Sequence, residues 1–181
     1  MEILIFWDAG APPGFQLPIS REVSNIMEMD VKVHDNPLVV NGYTGSRRQT
    51  DARVVLDGID IYKRRLSVSK PVLLVISQDI FMDGKEFLFG LARPSTGSAV
   101  ISSARLDNEF YGLTCNDDDL FDRLCKEGAH ELGHLFALDH CRETDCIMFN
   151  PLTLDDLDRK RRAFCPGCRE KLEMSLKKDS E

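Results

Sequence analysis

Several things are missing from this 181-residue chain, and each absence removes a class of function. No apolar run approaches the ~20 residues a helix needs to cross a bilayer, and Met1 to Asp8 has no cationic stretch ahead of its short apolar run, as a secretory signal would. A cytoplasmic protein with no membrane partner is therefore expected. Positive charge is also short: 23 Lys and Arg against 30 Asp and Glu give a formal charge of -7 and a pI near 5.1. Nucleic acid and anionic lipid both call for a field of the opposite sign, so neither is expected as a partner. The basic clusters Arg47-Arg48, Lys63-Arg64-Arg65 and Arg159 to Arg162 are short and read as solvated helix faces. There is no internal repeat and no low-complexity tract. Histidine is scarce, with four in the chain, yet three of the four lie between residues 130 and 140.

What is present suits one well-packed domain over residues 1-181, 43% hydrophobic and expected to be monomeric. Glu2 to Trp7 and Pro71 to Ser77 are apolar runs of the kind that form buried strands, the first of them central. Helical spacing of apolar residues appears in Ile19 to Met29 and in Ala52 to Tyr62, and Val31 to Val33 alternates like a half-buried strand. Phe87 to Gly90 and Ser98 to Ser103 read as two more strands. The small, partly polar side chains of the second suggest an exposed edge, open to pairing with an added peptide. From Leu120 to Phe136 the apolar period predicts one long helix. The fold class expected is α+β: a single domain with a twisted mixed β-sheet, a helix carrying the histidines, and a small C-terminal helical part. Residues 1-136 supply the sheet and that helix, and residues 137-181 supply the rest.

His130 and His134 are four apart, so on a helix both imidazoles project from one face, a turn apart, as two ligands of one metal must. His140 follows past the point where the helix can end, completing a three-nitrogen set for zinc with one position left for water. Zinc held by three neutral imidazoles lowers the pKa of bound water to about 7. Glu131 adjoins a ligand but points elsewhere on the helix, so it can take that water's proton and pass it to a leaving amine. The reaction implied is hydrolysis of a peptide bond by Glu-assisted attack of zinc-bound water. The plain alternative is a chance HExxH on an amphipathic helix, which His140 argues against. His34, alone in a polar turn, is given no role.

Cys141 begins a second constellation with Cys146, Cys165 and Cys168. Two short cysteine pairs separated by a helix-length segment are the layout of a four-thiolate structural zinc, giving two Zn2+ per chain. Neighbouring residues of extended chain face opposite ways, so His140 can face one metal while Cys141 faces the other. A redox-active Cys165/Cys168 pair and free core cysteines are the rival readings. Thr153 with Asp155 and Asp156 signals a helix start, and a further short helix with a charged tail is expected from Arg169 to Glu181. Cys125 reads as a packed thiol, and Cys115 is unassigned.

The pattern His130-Glu131-x-x-His134-x-x-Ala137-x-x-His140-Cys141, then Cys146, Met148 and Cys165-x-x-Cys168, resembles the archaemetzincins, a branch of the metzincin zinc metallopeptidases. The resemblance rests on residues 130-168. It implies a catalytic zinc on His130, His134 and His140, with Glu131 as general base. It also implies a structural zinc on Cys141, Cys146, Cys165 and Cys168, Met148 as the methionine of the turn beneath the catalytic metal, and a peptide or protein substrate held along an edge strand, in the place of Ser98 to Ser103. Ala137 stands where the family has glycine, and Phe149 where some metzincins have a tyrosine. Alanine at a turn of positive φ costs about 1 kcal/mol or more, and reduced catalytic efficiency is the expected consequence. The reading of another class is a catalytically weak or inactive zinc module that binds peptides in its groove.

Overall fold

A computed structural model describes residues 1-178. In chain order the elements are β1 (Glu2–Trp7), α1 (Gln16–Met27), β2 (Asp30–Asp35), β3 (Tyr43–Thr44), β4 (Gln49–Asp51), α2 (Ala52–Arg65), β5 (Val72–Ile76), β6 (Ile80–Met82), β7 (Lys85–Leu88), β8 (Gly90–Arg93) and β9 (Ser98–Ser102). Two 3-10 turns then lead to α3 (Asp117–Leu135), α4 (Leu154–Arg159) and α5 (Pro166–Lys178). The last three residues of the expected charged tail, 179-181, lie outside the described residues.

The main sheet has the order β2-β1-β5-β9-β8, with four parallel strands and β8 antiparallel at one edge. Side chains on a strand alternate between faces, and here the alternation sorts two cores. Ile3, Ile5, Trp7, Leu73, Val75, Ala99 and Ile101 pack with α1 and α3. Phe6, Val72, Leu74, Ile76 and Val100 pack with Val55, Leu56 and Ile59 of α2. Apolar residues on both faces explain why β1 and β5 read as unbroken hydrophobic runs. A second, smaller sheet has the order β3-β4-β6-β7, and Phe89 is the joint between β7 and β8.

One expectation is overturned. Ser98 to Ser102 is no edge: β9 lies between β5 and β8, all five residues are buried, and the open edge is β8. Its small residues are there because helices press close. Ser98 Oγ donates to Asp60 Oδ1 of α2 at 2.6 Å, and Ser102 Oγ to the Gln78 carbonyl at 2.6 Å. A hydroxyl with an internal acceptor is content to be buried. On the other face α3 approaches the sheet at Gly128, where a Cβ would lie 3.3 Å from Leu73 Cδ2.

α3 starts at Asn116, whose side chain accepts from the N–H groups of Asp118 and Asp119, with three acids in the first turn. It ends in a Schellman turn: the Ala137 N–H donates to the His134 carbonyl at 3.0 Å, and the Leu138 N–H to the Gly133 carbonyl at 3.1 Å. The residue that must be left-handed in that turn is Ala137, at φ 62°. The turn sends the chain back across the end of its own helix. α4 starts as expected at Thr153, which forms a capping box with Asp156. Of the basic run that follows, only Arg159 is in the helix. Lys160 is not a solvated residue at all but 2% exposed.

Candidate metal centres and cleft

α3 carries His130 and His134 one turn apart, with Nε2 to Nε2 at 3.1 Å. The returning chain brings His140 beside them, its ring centroid 5.3 Å from that of His130 and 4.8 Å from that of His134. One ligand nitrogen from each imidazole lies within 4.8 Å of the others. The Nδ1 atoms of the two helical histidines face carbonyls instead, His130 that of Ile147 at 2.8 Å and His134 that of Leu138 at 2.7 Å. Each Nδ1–H donates there, which fixes the tautomer and leaves Nε2 with its lone pair inward. Burial lowers the pKa of all three imidazoles, and for His130 and His140 the nearby Lys160 adds to the effect. Neutral imidazoles in a closed set are what a divalent cation requires. Tetrahedral zinc at Zn–N of about 2.0-2.1 Å asks for nitrogens about 3.3 Å apart, close to the 3.1 Å of the His130 and His134 pair.

Glu131, 5% exposed, lies beside this set. Burial, reinforced by the carboxyl of Glu127, raises its pKa well above the ordinary range. Glu127 is 3% exposed and is itself raised by burial. Lys160 stands near both carboxyls with Nζ 3.4 Å from His130 Nδ1; burial pulls its pKa down to about 8 against the pull of Glu127 and Glu131. Glu127 and Lys160 went unnoticed in the sequence. Glu127 could have been found, since 127, 130, 131 and 134 share a helix face. Lys160 carries no such signal, because nothing local distinguishes it from its arginine neighbours.

Met148 is fully buried, and a Cβ on Gly133, which lies between the two helical histidines, would overlap its sulfur. The glycine inside the histidine motif is thus explained by the methionine. Cys141, Cys146, Cys165 and Cys168 are brought together, with the sulfurs of Cys141 and Cys165, 24 residues apart along the chain, at 3.8 Å. That separation equals the roughly 3.8 Å of two sulfurs on one tetrahedral zinc at Zn–S of about 2.3 Å. The N–H groups of Glu143 and Cys165 donate to Cys141 and Cys146 Sγ at 3.4 and 3.3 Å. Burial pushes the Cys146 and Cys168 thiols up. At Cys165 burial acts in the same sense, but the Cys168 N–H and the neighbouring thiols outweigh it and the pKa falls. Cys115 is exposed and apart, Cys125 is buried with its thiol pushed up to about 12, and His34 is an exposed residue of β2.

The histidines and Glu131 form the floor of a cleft of about 540 Å3. One wall is Lys85 to Ala92 on β7 and β8, and the other is Asn150 to Leu152. In the β8/β9 ladder the Ser102 N–H donates to the Phe89 carbonyl and Gly90 stands opposite Ile101. Residues 89, 91 and 93 therefore bond to β9, and the main-chain groups of Gly90 and Ala92 point to the open edge.

Comparison with known proteins agrees with this arrangement. The profile of Peptidase family M54 matches residues 30–174. An archaemetzincin of Thermococcus kodakarensis is 37% identical over 139 residues, 77% of this chain and 74% of that protein. The crystal structure of a zinc-dependent peptidase from Methanocorpusculum labreanum superposes with a TM-score of 0.89 at 42% identity, covering 94% of this chain and 99% of that one. The archaemetzincin of Methanopyrus kandleri gives 0.83 at 32% identity over 98% and 96%. By class, the fold and site are those of a zinc metallopeptidase, which acts on peptide or protein substrates. The chain belongs to peptidase family M54, the archaemetzincins. Among the described residues no helix is long and apolar enough to cross a membrane.

Proposed function

We propose that His130, His134 and His140 hold the catalytic zinc, that Glu131 is the general base, and that Cys141, Cys146, Cys165 and Cys168 hold a second, structural zinc. The observation that carries this is the convergence of three inward nitrogens in a cleft that also presents a buried carboxyl on the same helix. When bound, zinc would supply an acidified water and a charge to polarise the scissile carbonyl. The chain's own groups do the rest. The Ile147 and Leu138 carbonyls fix the imidazoles, and Met148 packs against Gly133 of the same helix. Glu131, on the cleft floor beside the three imidazoles, is placed to take a proton from water and deliver it to the departing amine. An extended peptide would lie along β8, bonding to the open groups of Gly90 and Ala92. The four sulfurs around one point favour a metal over thiol exchange by Cys165 and Cys168 alone.

Digestion of a peptide library by the zinc-loaded protein should give products, and Glu131→Ala should abolish them with metal content still two zincs per chain. Activity retained in that variant would remove Glu131 from the mechanism, and one zinc that survives loss of the cysteines would remove the second site. The left-handed Ala137 favours a second reading, a module that binds peptides without cutting them. Binding without cleavage in the same assay would select it.

A further inference from the structure

Glu131 occupies a slot whose front wall is a glycine. β8 passes α3 so closely at Gly90 that a Cβ there would lie 2.7 Å from Glu131 Cγ, 2.8 Å from Oε1 and 3.0 Å from Cδ. The backbone of Gly90 is not among those with positive φ, so its conformation does not call for glycine; the missing side chain does. Neither partner is free to retreat. β8 is held in register along β9, itself in the interior of the sheet, and Glu131 is fixed on the helix that carries His130 and His134.

Behind the slot stands Glu127, one turn earlier on α3. Its carboxyl stands within hydrogen-bond reach of that of Glu131, and its Oε2 is buried with no other partner. A buried polar atom left unsatisfied is costly, and such atoms are retained where the site needs the group.

We propose that Gly90 and Glu127 are positioning residues that hold the Glu131 carboxyl in one orientation at the cleft floor, Gly90 by leaving the space and Glu127 by bonding from behind. The proposal rests on the role of Glu131 as base.

The test uses the full-length, zinc-loaded chain. Gly90→Ala should lower kcat about 100-fold or more, the cost of misplacing a reacting group by about 1 Å. Zinc content should change little, because the imidazoles are untouched, and the fall in kcat should exceed any change in KM at this substrate-facing position. Glu127→Ala should also lower kcat, and Glu127→Gln, which keeps the hydrogen bond, should restore most of the loss. A crystal structure of Gly90→Ala should show the Glu131 carboxyl displaced and the three imidazoles in place. Wild-type kcat in Gly90→Ala, an unmoved carboxyl, or a loss that tracks zinc content or Tm would overturn the proposal. Should the wild-type chain cleave no peptide, the role of Glu131 falls, and the position of its carboxyl in the Gly90→Ala crystal still decides this one.

Discussion

Ala137 is the residue at which local preference and tertiary need disagree. The Schellman turn at the end of α3 needs a left-handed residue, and an L-residue with a Cβ is strained there by roughly 1-2 kcal/mol. Glycine would remove the strain and lose part of the gain to the freer unfolded chain. Ala137→Gly should therefore raise stability by up to about 1 kcal/mol, read as a Tm increase of about 2-4 °C for a chain of this size. An unchanged or lower Tm would show that the turn is relaxed as it stands. The positive φ was legible beforehand, because a third histidine six residues past the second can reach the metal only if the helix stops and reverses. Lys160 was not legible. Its burial comes from α4 ending one residue earlier, against α3, and that is a tertiary event with no periodic trace.

Elements carry the next level of argument, and β9 is the instructive one. Small and polar residues in a strand fit two situations, an open edge or a tightly covered centre, and only the order of the strands separates them. The segment from Cys141 to Cys168 was easier, since its proposed cysteine ligands and the cap at Thr153 are spelled out in residue types. The structure adds how it is tied to α3. Cys146 is followed by Ile147, whose carbonyl orients His130, and the Cys141 N–H donates to the Met148 carbonyl at 2.8 Å. Damage to the thiolate cluster should thus reach the histidines. Cys165→Ser should weaken zinc binding at the histidine site about 10- to 100-fold, the range typical when a partner orienting a ligand is lost. Competition with a chromophoric chelator would measure it, and an unaltered affinity would show the two centres to be independent.

The whole molecule is held at the start of its sheet by a charge cluster. Glu2 on β1 bonds Lys32 of β2 at 2.5 Å and also Lys70, just before β5. The hydrogen bonds from Lys32 and Lys70 lower the Glu2 pKa to about 2. Because the folded value lies below the unfolded one, this contribution is complete above about pH 4.5 and is lost as pH falls towards 2. Glu2→Gln should be less stable than the wild-type chain at neutral pH, with the difference closing as pH falls to 2. A difference that persists at pH 2 would assign the effect to packing. The burial of β1 and β5 on both faces could be read from their unbroken apolar runs, whereas the place of β9 and the small sheet β3-β4-β6-β7 could not, the latter because strands of two to four residues leave too little pattern.

The carbonyl of Ile147 also has a consequence for how such a chain is made. On the proposed ligand set, His130 is oriented by a loop that the four cysteines close, and Cys165 and Cys168 come later in the chain than the histidines. The histidine motif leaves the ribosome earlier, with its helix but without its anchor. On that reading the histidine set gains its orientation only after the cysteines that follow it have been made.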